Sequence, residues 1–167
     1  MSSRASFGRR EGTALVVLRG QVRYPEARAL RRFVDEVVLP AGCDTVFIDV
    51  SSVDAIDSTG MGLLARIGRA TVEKHGRRAI LVGPGRDVAP CLRAAAFDSL
   101  FHLVDAFPYE PQVEVHEVPL VPEPGPPLAR VMLDAHQTLA ELAERNRAAF
   151  ADVISVLDEE VKRDERH

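Results

Sequence analysis

Asp57-Ser58-Thr59-Gly60 sets three hydrogen-bonding side chains between an apolar run ending at Val50 and a stretch of helical spacing that begins at once. Three chemistries fit such a junction. An aspartate, serine or threonine can cap a helix, because its side-chain oxygen accepts from an amide that the first turn leaves without a partner. A serine at a strand-to-helix turn can be a nucleophile. It can also be a hydroxyl that another protein modifies.

The nucleophile reading has little support. The nucleophile elbow needs glycine two places before the serine, and position 56 is isoleucine. His75, His102, His116, His136 and His167 are scattered and lack metal spacing. Neither "GMG" nor "GPGR" ends in the Gly-Lys-Ser/Thr of a phosphate-binding loop. These residues predict no enzyme, no metal and no cofactor. Asp57 or Ser58 could serve as a simple cap, although no capping box accompanies either, since Gly60 and Met61 stand three places on. Modification has its own logic. A helix N-terminus favours negative charge, so the fold would tolerate a phosphate on Ser58. That phosphate would add about −1.5 to −2 charge beside Asp54 and Asp57, which an acidic partner surface would feel strongly.

The elements that position this junction read as α/β. "TALVVLRG" (13–20), "TVFIDV" (45–50) and "AILVG" (79–83) are short, nearly continuous apolar runs rich in Val and Ile, as expected of buried strands. "LFHLV" (100–104) reads as a further strand. Between them, Ala27, Leu30, Val34 and Val37 share one helical face behind Pro25. Met61, Leu64, Ala65, Gly68 and Val72 share another, stopped by Gly76. "RDVAPCLRAAAF" suits a third, shorter helix. Alternating strands and helices predict a small mixed sheet of four or five strands, with helices mainly on one face. On the second helix, Thr59, Gly62, Arg66, Arg69 and Glu73 form a stripe away from the apolar face and continuous with Ser58. It is either a solvated face or a contact surface.

The pattern changes after Asp105. Pro108 and Pro111 forbid a regular helix, and Val113, Val115 and Val118 alternate with polar residues as in an extended edge segment. Residues 1–118 form the predicted domain, residues 119–127 a stiff proline-rich linker, and residues 128–163 an amphipathic helix about 50 Å long at 1.5 Å per residue. Leu128, Met132, Ala135, Leu139, Leu142, Asn146, Ala149, Val153 and Val156 make a heptad-compatible stripe with Asn146 as its one polar member. The stripe predicts pairing with another chain, a homodimer included, or a helix folded back over its own domain.

Composition bounds the function. The chain has 167 residues, 46% hydrophobic and 28% charged, which suits one soluble core plus an extra element. Its net charge is −4 without any block of like charge, which argues against direct nucleic-acid contact. Residues 121–167 carry 6 basic and 10 acidic side chains, and the remaining 15 of each sign cancel, so the tail alone is acidic. No stretch suits a signal peptide or a membrane span, and cytoplasmic residence without direct membrane contact is the expectation. Cys43 and Cys91 match no zinc or redox spacing and read as small buried hydrophobes.

"DVSSVDAIDSTGMGLL", with "ALVVLRGQV" before it and "AILVGPGRDVAPCLRAAAFDSLFHLV" after it, resembles the STAS domain of bacterial anti-sigma factor antagonists over roughly residues 13 to 107. Its most specific element is Asp57-Ser58-Thr59-Gly60-Met61-Gly62. The resemblance implies a non-catalytic binding protein that engages an anti-sigma factor, itself a serine kinase of the histidine-kinase-like ATPase fold, and so frees a sigma factor. It implies that Ser58 is the phospho-acceptor, with Thr59 as runner-up. It implies that phosphorylation ends the complex and that a serine phosphatase restores it. Asp54, Asp57, Ser58, Thr59, Gly60, Gly62, Arg66 and Arg69 would form the partner surface, the two glycines admitting a partner backbone closely. STAS domains also act as docking subunits of lipid-transport ATPase complexes or as signalling scaffolds, where no phospho-switch is needed. The proline residues after the last strand and the long helix beyond them depart from the short antagonists.

Overall fold

The alternation of side chains along two central strands decides the layers. The computed structural model describes residues 3–167, so the first two residues of the predicted 1–118 domain lie outside the described residues. In β2 (Thr13–Val22), Ala14, Val16 and Leu18 point to one side of the sheet, and Leu15 and Val17 to the other. In β3 (Thr45–Ile56), Val46, Ile48 and Val50 join the first set, while Phe47 joins the second. Both strands are buried on both faces, which is why they read as continuous apolar runs.

The sheet has six strands in the order β5-β4-β3-β2-β1-β6. β2, β3, β4 (Ala79–Val82) and β5 (Phe101–Val104) are parallel neighbours. Their crossovers are α1 (Ala27–Phe33, prolonged by a wider turn to Val38), α2 (Ser58–His75) and α3 (Ala89–Ala94). Because the strand order advances in one direction, right-handed crossovers put these helices on one face. The mixed α/β architecture follows the sequence, with more strands than the four or five expected. The strand that escapes the pattern is β1 (Arg4–Arg10), which offers only Ala5 and Phe7 as inward apolar residues. Its pairing with β2 follows from the two-residue turn Glu11-Gly12, both at positive φ, the geometry that suits a tight hairpin.

The chain after β5 closes the opposite face. Phe107, Val113 and Val115 pack on Leu15, Val17, Phe47 and Val82. Phe107 and Tyr109 meet the Phe47 ring at 5.6 and 5.5 Å between centroids. The segment then enters β6 (His116–Val118), which pairs antiparallel with β1 at the sheet edge, as the valine alternation suggests.

Beyond the linker the predicted single helix is two helices. α4 (Leu128–Ala140) and α5 (Glu144–Glu165) are separated where Ala143 adopts an extended backbone. No glycine or proline marks the break. Tertiary burial overrides helix propensity here. α4 packs on α2 and α1, and α5 folds back on α4. Val131 and Leu139 of α4 are fully buried and belong to the main core. Ala129, Leu133, Leu157 and Val161 form a smaller core between α4 and α5. The heptad stripe is therefore no single seam. Ala135, Leu139 and Asn146 are buried within this chain, whereas Ala149 and Val156 are exposed. Within this chain the tail folds back over its own domain. Asn146 pins the hairpin by donating to the carbonyls of Ala95 (2.8 Å) and Leu139 (2.9 Å), which fixes α5 against the end of α3.

Candidate functional site

The junction is built around Asp57, not Ser58. Asp57 has extended backbone and is the N-cap of α2: its Oδ1 accepts from the Gly60 amide at 2.8 Å. Its Oδ2 accepts from the Tyr24 amide, also at 2.8 Å, tying the turn before α1 to the start of α2. One carboxylate thus holds two segments. The first turn lies against β2, because a Cβ on Gly60 would come within 2.1 Å of the Val22 carbonyl oxygen. Asp54 stands exposed near the end of β3.

Ser58 is the first residue of α2 and is half-buried. With Asp57 capping, the serine hydroxyl is left for another partner, and that partner is His136 of α4, at 2.8 Å from Oγ to Nε2. The Met132 carbonyl lies 2.6 Å from His136 Nδ1 and can only accept. Nδ1–H therefore donates to that carbonyl, which leaves Nε2 to accept from the Ser58 hydroxyl. His136 is 3% exposed and turns its ring towards Phe150. Ser58→Ala leaves Nε2 buried without a donor and should lower stability by about 1–3 kcal/mol in a urea titration. A serine–histidine pair at this distance is also nucleophile–base geometry. Here the ring is oriented by a backbone carbonyl rather than a carboxylate. The grooves lined by Arg4, Glu26 and Glu117, or by Arg78, Arg93 and Arg145, lie elsewhere.

The polar stripe of α2 is covered except at Glu73, which stands exposed. Thr59 is 2% exposed, and Gly62 lies against the backbone of α4, where a Cβ would meet the Ala135 carbonyl oxygen at 2.3 Å. The close backbone approach expected at Gly62 is made within this chain. Arg66 donates from Nε to Asp35 Oδ1 at 2.7 Å, and Arg31 donates to Asp35 Oδ2 at 2.6 Å and to Asp134 Oδ2 at 3.1 Å. Burial alone would lower the Arg31 pKa, but its bonds to Asp35 and then Asp134 outweigh that and hold it above its ordinary value. Arg69 binds Glu141 just beyond α4, with Glu73 at 3.9 Å. Arg66 and Arg69 are thus engaged by α1 and the hairpin. As a freely solvated face this stripe does not exist in the folded chain.

The sequence missed His136 as the companion of Ser58. The two are 78 residues apart, and only the docking of α4 brings them together. Cys43 is buried, and its thiol pKa is raised by burial; Cys91 is exposed, contrary to expectation, at the outer face of α3. Among the described residues no helix is long and apolar enough to cross a membrane.

Comparison with known proteins gives the same architecture. No curated protein matches this chain significantly in sequence. Among solved structures, an anti-sigma factor antagonist from Mycobacterium paratuberculosis is similar with a TM-score of 0.54 and 21% identity, covering 64% of this chain and 88% of that one. A Thermotoga maritima protein, described as a candidate anti-sigma factor antagonist, is similar with a TM-score of 0.54 and 20% identity, covering 60% and 86%. Both similarities are of fold. The sequence profile of the STAS domain matches residues 5–110, more than half of the chain, and with β2 to β5 and the Asp57–Gly62 turn in place the chain belongs to the STAS domain family.

Proposed function

We propose that this protein is a regulatory binding protein of the anti-sigma factor antagonist type. Its partner is an anti-sigma serine kinase of the histidine-kinase-like ATPase fold, and phosphorylation of Ser58 ends their association until a serine phosphatase reverses it. The observation that carries this reading is the division of labour at the junction: Asp57 caps the helix, so the Ser58 hydroxyl is not needed by the first turn. A phosphate there would gain from the helix dipole while changing the charge of the surface beside Asp54 and Asp57. The two structural neighbours described as antagonists accord with this reading. Asp54, Asp57, Ser58, Thr59, Gly60, Gly62, Arg66 and Arg69 form the partner surface, of which Thr59, Gly60 and Gly62 are buried while α4 is docked. The Ser58–His136 pair serves as a latch between α2 and α4, and the protein performs no catalysis. The test is incubation of the purified chain with ATP and lysate of the native host. Phosphate should map to Ser58 by mass spectrometry and disappear in Ser58→Ala. Labelling confined to another residue would refute the assignment.

One observation favours a second reading. The hydroxyl of Ser58 is already bound to His136 and half-covered, as suits a docking subunit of a transport ATPase or a signalling scaffold that is never phosphorylated. In that case the same incubation leaves Ser58 unmodified, while the partner binds the wild type and a charged variant alike.

A further inference from the structure

The hairpin α4–α5 sits on the very face of α2 that the sequence marks for a partner. Four features of that seat are specific. Gly62 admits the backbone of a helix at Ala135, a contact that a larger residue on either side would prevent. Arg31 and Arg69 receive carboxylates from Asp134 and Glu141, seven residues or about two helical turns apart. Ser58 donates to the ring of His136 between them. The bond leaves only 2.8 Å between Oγ and a ring that is 3% exposed.

The hairpin also has the makings of a unit that moves together. Ala129, Leu133, Leu157 and Val161 join α4 to α5 in a core of their own. The linker before α4 is held to α1 mainly through Arg28, which reaches the Pro126 carbonyl at 3.0 Å and Glu123 at 3.5 Å, and through Arg32. Against this stand Val131 and Leu139, which are anchored in the main core.

We propose that the α1–α2 face under α4 is the partner-binding surface, that it takes an amphipathic helix with a small residue over Gly62 and flanking carboxylates for Arg31 and Arg69, and that α4 is a built-in competitor which this helix displaces. The identity of the partner rests on the antagonist reading above; the helix-accepting seat does not. Opposite charges and a glycine-deep backbone contact define a helix in the manner of α4 rather than a loop or a nucleic acid. The hairpin then sets how readily the surface opens, and anything that binds the open face alone must overcome the closed population.

The probe is a fluorescent peptide of α4 itself, residues 127–142, "PLARVMLDAHQTLAEL", titrated into full-length protein by anisotropy. Asp134→Arg in the protein sets a cation against Arg31 and weakens the resident helix without touching the seat. His136→Ala with Leu139→Ala is the second opening variant. Hydrogen exchange confirms opening when the amides of residues 128–140 exchange while those of β2 and β3 remain protected. The open variants should bind the peptide at least tenfold more tightly than wild type, and an Ala135→Leu peptide should not bind. Protein captured from native lysate by an open variant should be released by the peptide. Open variants that fail to bind the peptide would overturn the proposal. So would exchange of α4 only together with the sheet, or self-association of the open variants in sedimentation in place of peptide binding, since the occupant would then be a second copy. None of these results depends on phosphorylation, so failure here and failure at Ser58 are separable.

Discussion

Replacing Gly62 with valine is expected to detach the hairpin while leaving the sheet folded. A Cβ at this position would stand 2.3 Å from the Ala135 carbonyl oxygen and 2.6 Å from the Ala135 carbonyl carbon and Cβ. Backbone atoms cannot swing aside as a flexible side chain can, so α4 must move as a body. Overpacking of this kind costs about 1–3 kcal/mol. Any retreat of α4 also exposes part of Val131 and Leu139, each worth roughly 1.5–3 kcal/mol when fully buried. The loss should reach about 3 kcal/mol and appear in hydrogen exchange first at residues 128–140. Exchange unchanged in that segment would show that α4 does not depend on Gly62.

Asp57→Ala should be the second large effect, and its cause is different. One oxygen caps α2 through the Gly60 amide, which is worth about 1 kcal/mol at a typical N-cap. The other accepts from the Tyr24 amide in a charge-assisted bond worth about 1.5–3 kcal/mol. Together these predict a loss of about 2–4 kcal/mol in chemical denaturation. Asp57→Asn should recover roughly half, because its amide oxygen can cap the helix while its NH2 group cannot accept from Tyr24. Full stability in Asp57→Ala would mean that Ser58 takes over as cap, which would undo the division of labour at this turn.

Residue by residue, it is clear why part of this architecture was legible. β2, β3 and β4 announce themselves because Leu15, Val16, Phe47, Ile48 and Leu81 are buried on one face or the other, so little polarity interrupts the runs. The α2 cap is equally local: Asp57 and the amide it binds are three residues apart. What stayed hidden depends on distant partners. β1 has the composition of a surface segment and becomes a strand through its turn and its neighbour. The break between α4 and α5 lacks a breaker residue and arises because Leu139 and Asn146 find better burial against the domain than along a straight helix. Arg66 and Arg69 carry charges that normally mark solvent, yet Asp35 and Glu141 take them. A helical stripe reveals which residues align, not what will cover them.

The covering explains how a STAS fold can carry an extra hairpin without losing its site. Ser58 keeps its place at the start of α2, but access to it is shared with α4. If α4 competes with a partner as proposed, whatever stabilises the closed hairpin weakens binding to the open face correspondingly. Residues 128–165 thereby connect to Ser58 through His136 even though they lie outside the family match.

The central claim is that charge on Ser58 removes a partner. Its most direct test is a pull-down from native host lysate with wild type, Ser58→Ala and Ser58→Asp, the bound proteins being identified by mass spectrometry. The account predicts a kinase-like ATPase retained by wild type and by Ser58→Ala, and absent with Ser58→Asp while that variant keeps its fold by circular dichroism. An ATPase or assembly retained equally by all three would contradict it and make Ser58 a structural latch on a docking subunit.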